Sequence, residues 1–205
     1  MKVLFINGSP NQFGCTQTAL SEVERVINSH GIQSETLYLG KKPMAGCIAC
    51  MSCQKTGFCM RDGIVKNVQK KLHEYSAIII GSPVFFSGPT GQLVSFLNRL
   101  FFASGSNMHG KIGAAVVSCR RGGASATYEQ INQYFAISNM PIATSQYWNS
   151  AHGLTPDDVL KDQEGLQTMR ALGANIAYML KLKELAENKG ITPDFNEQPI
   201  STNFI

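Results

Sequence analysis

The stretch Val3-Leu4-Phe5-Ile6-Asn7-Gly8-Ser9-Pro10-Asn11-Gln12-Phe13-Gly14-Cys15-Thr16-Gln17-Thr18 governs how the rest of the chain reads. Residues 3–6 are apolar without a break, too short a run for a helix and lacking the alternation of a half-exposed strand, so they read as a buried parallel strand. A glycine-bounded loop follows. Beyond it Ala19, Leu20, Val23, Val26 and Ile27 share one helical face, closed by the cap signal His30-Gly31. Strand, loop and helix in that order open a parallel α/β sheet.

The unit recurs. Ala77–Ile80, Ala114–Val117 and Ile142–Thr144 are further short apolar runs, and Gln33–Leu39 alternates more weakly. Helical spacing appears in Ile64, Val65, Val68 and Leu72 behind the N-cap candidate Asp62, and in Leu93, Phe96, Leu97 and Leu100 after Pro89-Thr90. Ala124–Phe135 and the long segment Glu164–Lys189 complete the set. The expectation is a doubly wound, five-stranded parallel α/β sheet in the order 2-1-3-4-5, with helices on both faces and right-handed crossovers. At 205 residues and 43% hydrophobic, one domain spanning 1–205 accommodates this without repeat or linker. The tail Pro193–Ile205 has no periodicity and is expected to wrap a neighbour or lie loose.

Several function classes recede. A net charge of +4 with dispersed Lys and Arg argues against nucleic acid as a partner. No run of 18 apolar residues suggests a membrane helix, and the chain opens directly into a strand rather than a secretory leader, so a cytoplasmic protein is expected. Its six cysteines should then be reduced or act as ligands.

Ligands of such sheets sit beyond the carboxyl ends of the strands where the strand order reverses, here between the first and third strands. The loop Gly8–Thr18 lies at that point, with hydroxyls at Ser9, Thr16 and Thr18 around a helix start that favours an anion. A Walker loop would need Gly-Lys-Ser/Thr where Gly14-Cys15-Thr16 stands, and Gly-x-Gly-x-x-Gly is absent. A lysine-free cradle for a terminal phosphate monoester remains, against the plainer reading of a capped strand-to-helix turn. The third strand ends beside it in Gly81-Ser82-Pro83-Val84-Phe85-Phe86-Ser87-Gly88-Pro89-Thr90-Gly91. Its aromatic pair can lie against a flat ring, or can simply cover the sheet.

Gly8-Ser9-Pro10, Gly81-Ser82-Pro83-Val84-Phe85-Phe86 and Gly91-Gln92-Leu93 through Phe96-Leu97-Asn98-Arg99 resemble the NAD(P)H-dependent FMN reductase family of flavodoxin-like proteins. The resemblance is strongest to the branch holding iron-sulfur flavoproteins and flavin-dependent azo and quinone reductases. It implies FMN as cofactor, with Ser9, Thr16 and Thr18 at the phosphate and Pro83, Val84, Phe85, Phe86 and Ser87 at the isoalloxazine. Cys15 stands where the family often has Asn, at one phosphate contact. The resemblance also implies a homodimer or homotetramer with flavins at subunit interfaces.

The fourth strand ends in Ser118-Cys119-Arg120-Arg121-Gly122-Gly123, a third loop at the same edge. Reduced flavin is negative near N1 and O2, so Arg120 or Arg121 is a candidate to stabilise it, with Gly122 and Gly123 permitting close approach. The plainer reading leaves one arginine solvated and one in a subunit contact. Cys47, Cys50, Cys53 and Cys59 form C-x₂-C-x₂-C-x₅-C, a compact thiolate run suited to a [4Fe-4S] cluster. Zinc, or free or disulfide-linked thiols at an interface, are the alternatives.

Trp148, expected just after the fifth strand, is a candidate wall for a substrate pocket or an oligomer anchor. His152 is a candidate proton donor or an ordinary loop histidine, and His30, His73 and His109 read as surface residues. The leading expectation is ping-pong hydride transfer from NAD(P)H through FMN to a small acceptor: a quinone, azo compound, nitroaromatic or free flavin. The alternative is an iron-sulfur flavoprotein relaying electrons between cluster and FMN with a redox protein partner. A flavin-binding regulatory module ranks third.

Overall fold

In the computed structural model the sheet has the order β2-β1-β3-β4-β5, every neighbouring pair parallel. Residues 1–61, 63–193, 197, 200–202 and 204 are described. The strands are β1 (Lys2–Asn7), β2 (Gln33–Tyr38), β3 (Ala77–Pro83), β4 (Ile112–Cys119) and β5 (Ser150–His152). The helices are α1 (Cys15–Ser29), α2 (Ser52–Thr56), α3 (Gly63–Lys71), α4 (Gly91–Ser104), α5 (Ala124–Ile137), α6 (Pro156–Lys161) and α7 (Gln163–Asn188).

Successive strand residues point to opposite faces, so one apolar run feeds two cores. Val3, Phe5, Ile79 and Val116 pack against α1 and α7, where Leu20, Val23, Leu172 and Ile176 meet them. Leu4, Ile6, Ile78, Ile80 and Val117 pack against α3, α4 and α5, with Phe96, Phe101 and Phe135 among the bulky partners. Burial on both faces explains the unbroken hydrophobicity of β1, β3 and β4. Each such side chain contributes about 1.5–3 kcal/mol when fully buried.

The fifth strand is not where its apolar run placed it. Ile142 makes only a single bridge to Gly113, and the pairing of β4 resumes eight residues later at Ser150. Between them the chain leaves the edge in a turn tied by Ser145 Oγ, which donates to Asn149 Oδ1 at 2.7 Å. Buried Asn149 replaces the missing strand backbone: its Nδ2 donates to the Ala115 carbonyl at 3.0 Å, while its carbonyl accepts Val117 N–H at 2.9 Å. Residues 146–149 therefore precede the strand instead of following it.

Two short helices, α2 and α6, fall in segments read as loops. The Asp62 cap and most of the tail from 194 onward lie outside the described residues. Among the described residues no helix is long and apolar enough to cross a membrane.

Candidate functional site

The carboxyl ends of β1, β3 and β4 are drawn together before any ligand is considered. Gly8 N–H donates to the Gly81 carbonyl at 2.9 Å, and Thr90, the N-cap of α4, donates its hydroxyl to the Gly8 carbonyl at 2.7 Å. Asn7, fully buried, organises the first loop: Oδ1 accepts Ser9 N–H at 2.9 Å, and Nδ2 donates to the Gln12 carbonyl and to Gln17 Oε1. Tyr38 OH donates to the Pro10 carbonyl at 2.7 Å.

A cavity of about 360 Å³ opens above these ends. On one side is the start of α1, where Gly14 caps with no side chain and the first turn holds no acid. The N–H groups of Cys15, Thr16 and Gln17 have no carbonyl behind them in the helix, which leaves donors and a positive dipole end for an anion. Ser9, Cys15 and Thr16 line the cavity. Ser9 Oγ accepts Asn11 N–H at 3.1 Å and keeps its own proton to donate. Thr16 Oγ1 and Ser118 Oγ share a buried hydrogen bond of 2.8 Å. Cys15 turns its Sγ toward the Gly153 carbonyl, and burial raises its pKa, so it presents a neutral thiol. Thr18 does not line the cavity; its hydroxyl donates back to the Gly14 carbonyl at 3.3 Å.

Pro83, Val84 and Phe85 also line the cavity, as do buried Ser118 and Cys119 and the exposed Arg120. Phe85 and Gly88 exchange backbone hydrogen bonds of 2.8 and 3.0 Å around Phe86 and Ser87, whose φ angles are +50° and +58°. This is a type I′ turn built without the Asn-Gly that makes it easy, strained by about 1–3 kcal/mol per residue. Phe86 stands wholly in solvent at its tip. Gly123, at φ +88°, lets the third loop close on this turn; a Cβ there would lie 2.8 Å from Val84 Cγ1 and 3.0 Å from Ser87 Cα. Phe86, Ser87, Arg121, Gly122 and Gly123 surround the cavity without lining it.

Gly153–Pro156 complete the lining, a stretch to which the sequence reading assigns no role. Its signal was present: Thr155-Pro156-Asp157-Asp158 is a capping box with proline at the first helical position, and both of its hydrogen bonds form. Hydrogen bonds from Thr155 hold the Asp158 carboxyl below its usual pKa. His152 and Trp148 do not line the cavity. His152 Nδ1 lies 3.6 Å from Asp162 Oδ2, a partner that no sequence spacing identified. Trp148 is half-exposed and stacks edge-on against Tyr147, with ring centroids 4.8 Å apart.

Cys47, Cys50, Cys53 and Cys59 all border one small hollow, together with Arg99 and Phe102. Ala49 and Met51, between the first three cysteines, are left-handed at φ +52° and +57°. Hydrogen bonds from Ser52 hold the Cys50 thiol below its ordinary pKa. Among the described residues no group of three or more His, Cys, Asp or Glu side chains is arranged to hold a metal ion. The thiols that border the hollow are the ligand type an iron-sulfur cluster takes. A larger hollow of about 680 Å³ sits at the opposite end of β4, edged by Ile112, Met140 and Met179, away from these loops.

The family model for NADPH-dependent FMN reductases matches residues 1–155. An iron-sulfur flavoprotein of Methanocaldococcus jannaschii is 35% identical over 190 residues, covering 89% of this chain and 98% of that protein. The structure of RosB with bound 8-demethyl-8-formylriboflavin-5'-phosphate is similar with a TM-score of 0.70 at 13% identity, covering 100% of this chain and 96% of that one. A flavodoxin from the Archaea gives a TM-score of 0.60 at 19% identity, covering 88% and 99%. The two solved structures bear on the fold, and the family match bears on the chemistry. The chain belongs to the NADPH-dependent FMN reductase family and is a flavoprotein oxidoreductase of flavodoxin-like fold.

Proposed function

We propose that this chain holds FMN in the cavity above β1, β3 and β4 and moves electrons between that flavin and a [4Fe-4S] cluster on Cys47, Cys50, Cys53 and Cys59. The observation that carries the relay reading is the convergence of all four cysteines on one hollow. The 35% identical relative bears the name iron-sulfur flavoprotein, which agrees with it.

Bound FMN supplies both one- and two-electron chemistry. The residues around the cavity have separable tasks. First-turn N–H groups of α1 and the Ser9 hydroxyl hold the phosphate. Pro83, Val84 and Phe85 face the ring, and Arg120 offsets negative charge that builds on it during reduction. The 153–156 loop limits water. One sheet shared by both cores supports a single domain. The exposed Phe86 and the apolar residues Ile48, Met51 and Met60 beside the cysteines favour an oligomer or a redox protein partner covering them. Free thiols of this kind persist in a reducing compartment, which favours the cytoplasm.

Arg120 among the residues lining the cavity and the family match favour a second reading, in which NAD(P)H delivers hydride to the flavin and a small acceptor removes it. Anaerobic purification followed by visible spectra, iron and sulfide assays and titration with each nicotinamide separates the two. Stoichiometric iron and sulfide beneath the flavin bands support the relay. A plain flavin spectrum bleached rapidly by NADH or NADPH supports the reductase. A chain that binds no added FMN sinks both.

A further inference from the structure

Beyond covering the sheet, α4 reaches across to the cysteine-bearing loop. Gln92 Nε2 donates to the carbonyls of Leu39 at 3.2 Å and Lys42 at 2.9 Å, where the chain leaves β2. Further along the helix, Arg99 is 1% exposed. Its Nε donates to Cys59 Sγ at 3.3 Å and its Nη1 to the Ala45 carbonyl at 3.4 Å. One planar guanidinium thus grips both ends of the segment that carries the four cysteines: two residues before the first, and on the sulfur of the last. From α3, Gln69 secures the same end, its Oε1 accepting Cys59 N–H at 2.9 Å and its Nε2 donating to the Ala103 carbonyl at 2.9 Å.

The Arg99 guanidinium is a charged hydrogen-bond donor. A neutral thiol is a weak acceptor for its N–H, whereas a thiolate, free or metal-bound, is a strong one. Arg99 also borders the hollow shared by all four cysteines.

We propose that Arg99 is a positioning residue for the four-thiolate site, which clamps the ends of the cysteine loop and raises the reduction potential of the cluster bound there. The proposal rests on the cluster reading above. Four thiolates leave the cluster negative, and one-electron reduction adds another negative charge. A fixed cation and an N–H···S bond in a low-dielectric setting stabilise the reduced state more than the oxidised one. A residue that merely fills space at this position would alter stability and leave the potential alone.

The test uses the full chain, reconstituted anaerobically with ferrous iron and sulfide, and its variants Arg99→Lys and Arg99→Met. Unmodified protein comes first: if it takes up no iron and sulfide, the cluster reading fails and this proposal falls with it. FMN content checks the fold of each variant, because Arg99 does not line the flavin cavity. The readouts are the cluster midpoint from a redox titration followed by EPR, and the rate of iron loss to a chelator. Arg99→Met should shift the midpoint negative and release iron faster, on the order of the 10–100-fold seen when outer partners of metal ligands are removed. Arg99→Lys keeps the charge but cannot bridge Ala45 and Cys59 together, so its midpoint should lie near the original while iron loss still accelerates. Arg99→Met protein that holds FMN and shows unchanged midpoint and iron loss overturns the proposal. Should Arg99→Met fail to fold, iron loss from Arg99→Lys decides: faster loss supports the clamp, and unchanged loss overturns it.

Discussion

Gly123→Ala addresses the joint between the third loop and the strained turn beside the cavity proposed for FMN. Two penalties combine. At φ +88° an alanine sits in the left-handed region, at about 1–2 kcal/mol. The added Cβ also falls 2.8 Å from Val84 Cγ1 and 3.0 Å from Ser87 Cα, and the second is backbone that cannot swing aside. Overpacking of this kind costs about 1–3 kcal/mol. If the turn stays put, the sum is about 2–5 kcal/mol, and Tm falls at about 2–4 °C per kcal/mol for a chain of this size. If the turn moves instead, the loss appears in FMN affinity, about tenfold in Kd for each 1.4 kcal/mol. Thermal unfolding of the apoprotein and fluorescence titration with FMN measure the two shares. Gly122→Ala is the internal control, since nothing lies within 4 Å of its Cβ position. The reasoning is refuted if Gly123→Ala matches Gly122→Ala in both Tm and FMN affinity.

Three other substitutions probe different supports. Thr16→Val leaves the buried Ser118 hydroxyl without its 2.8 Å partner and should cost about 1–3 kcal/mol in urea unfolding; adding Ser118→Ala should restore much of the loss, and strict additivity would contradict the pairing. Asn149→Leu strips the Ala115 carbonyl of its donor, so about 1–3 kcal/mol should be lost while FMN affinity holds, because Asn149 lies outside the cavity. Glu35 tests pH dependence: the hydrogen bond from Lys2, helped by Lys71, lowers its pKa to about 2. A carboxyl with a depressed folded pKa stabilises above its unfolded value and loses that contribution as pH falls toward the folded one. Glu35 is 35% exposed, so solvent screening trims the effect of Glu35→Gln to about 0.5–1 kcal/mol at neutral pH. The gap between variant and original should narrow from pH 4.5 downward, and a gap constant to pH 3 would exclude the assignment.

What the sequence exposed depended on how each strand satisfies its hydrogen bonds. β1, β3 and β4 are covered on both faces and paired along their length, so their composition alone marks them. The edge strand is different. Three residues suffice for β5 because the Asn149 side chain does part of the pairing, and Ile142, apolar enough to look like a strand, supplies only one bridge. Side-chain substitution for a backbone ladder leaves no periodic trace. The loops at strand ends were legible for the opposite reason: glycine, proline and hydroxyl residues cluster where the chain must turn beside a ligand. Arg99 stands out in the sequence only as the end of the Gly91–Arg99 stretch that carries the family resemblance. Whether it points to solvent or to Cys59 depends on the helix's rotation against the 45–59 loop, which spacing does not encode.

Backbone strain draws the two sites together in a way composition could not. Among the described residues, five non-glycine residues have positive φ: Ala49, Met51, Phe86, Ser87 and Asn139. Asn139 follows α5, where asparagine tolerates the left-handed conformation. The other four fall in two short segments, one between the cysteines and one at the tip of the turn beside the cavity at the strand ends. Glycine or asparagine would relieve each position, yet alanine, methionine, phenylalanine and serine occupy them. Strain of about 1–3 kcal/mol per residue persists only where surrounding structure overrides it. Here the override is identifiable: Gly123 and Val84 hold the turn, and Arg99 and Gln69 hold the cysteine loop. Local preference and global fold agree through the sheet and part company at these two loops, one beside the cavity at the strand ends and one among the four cysteines.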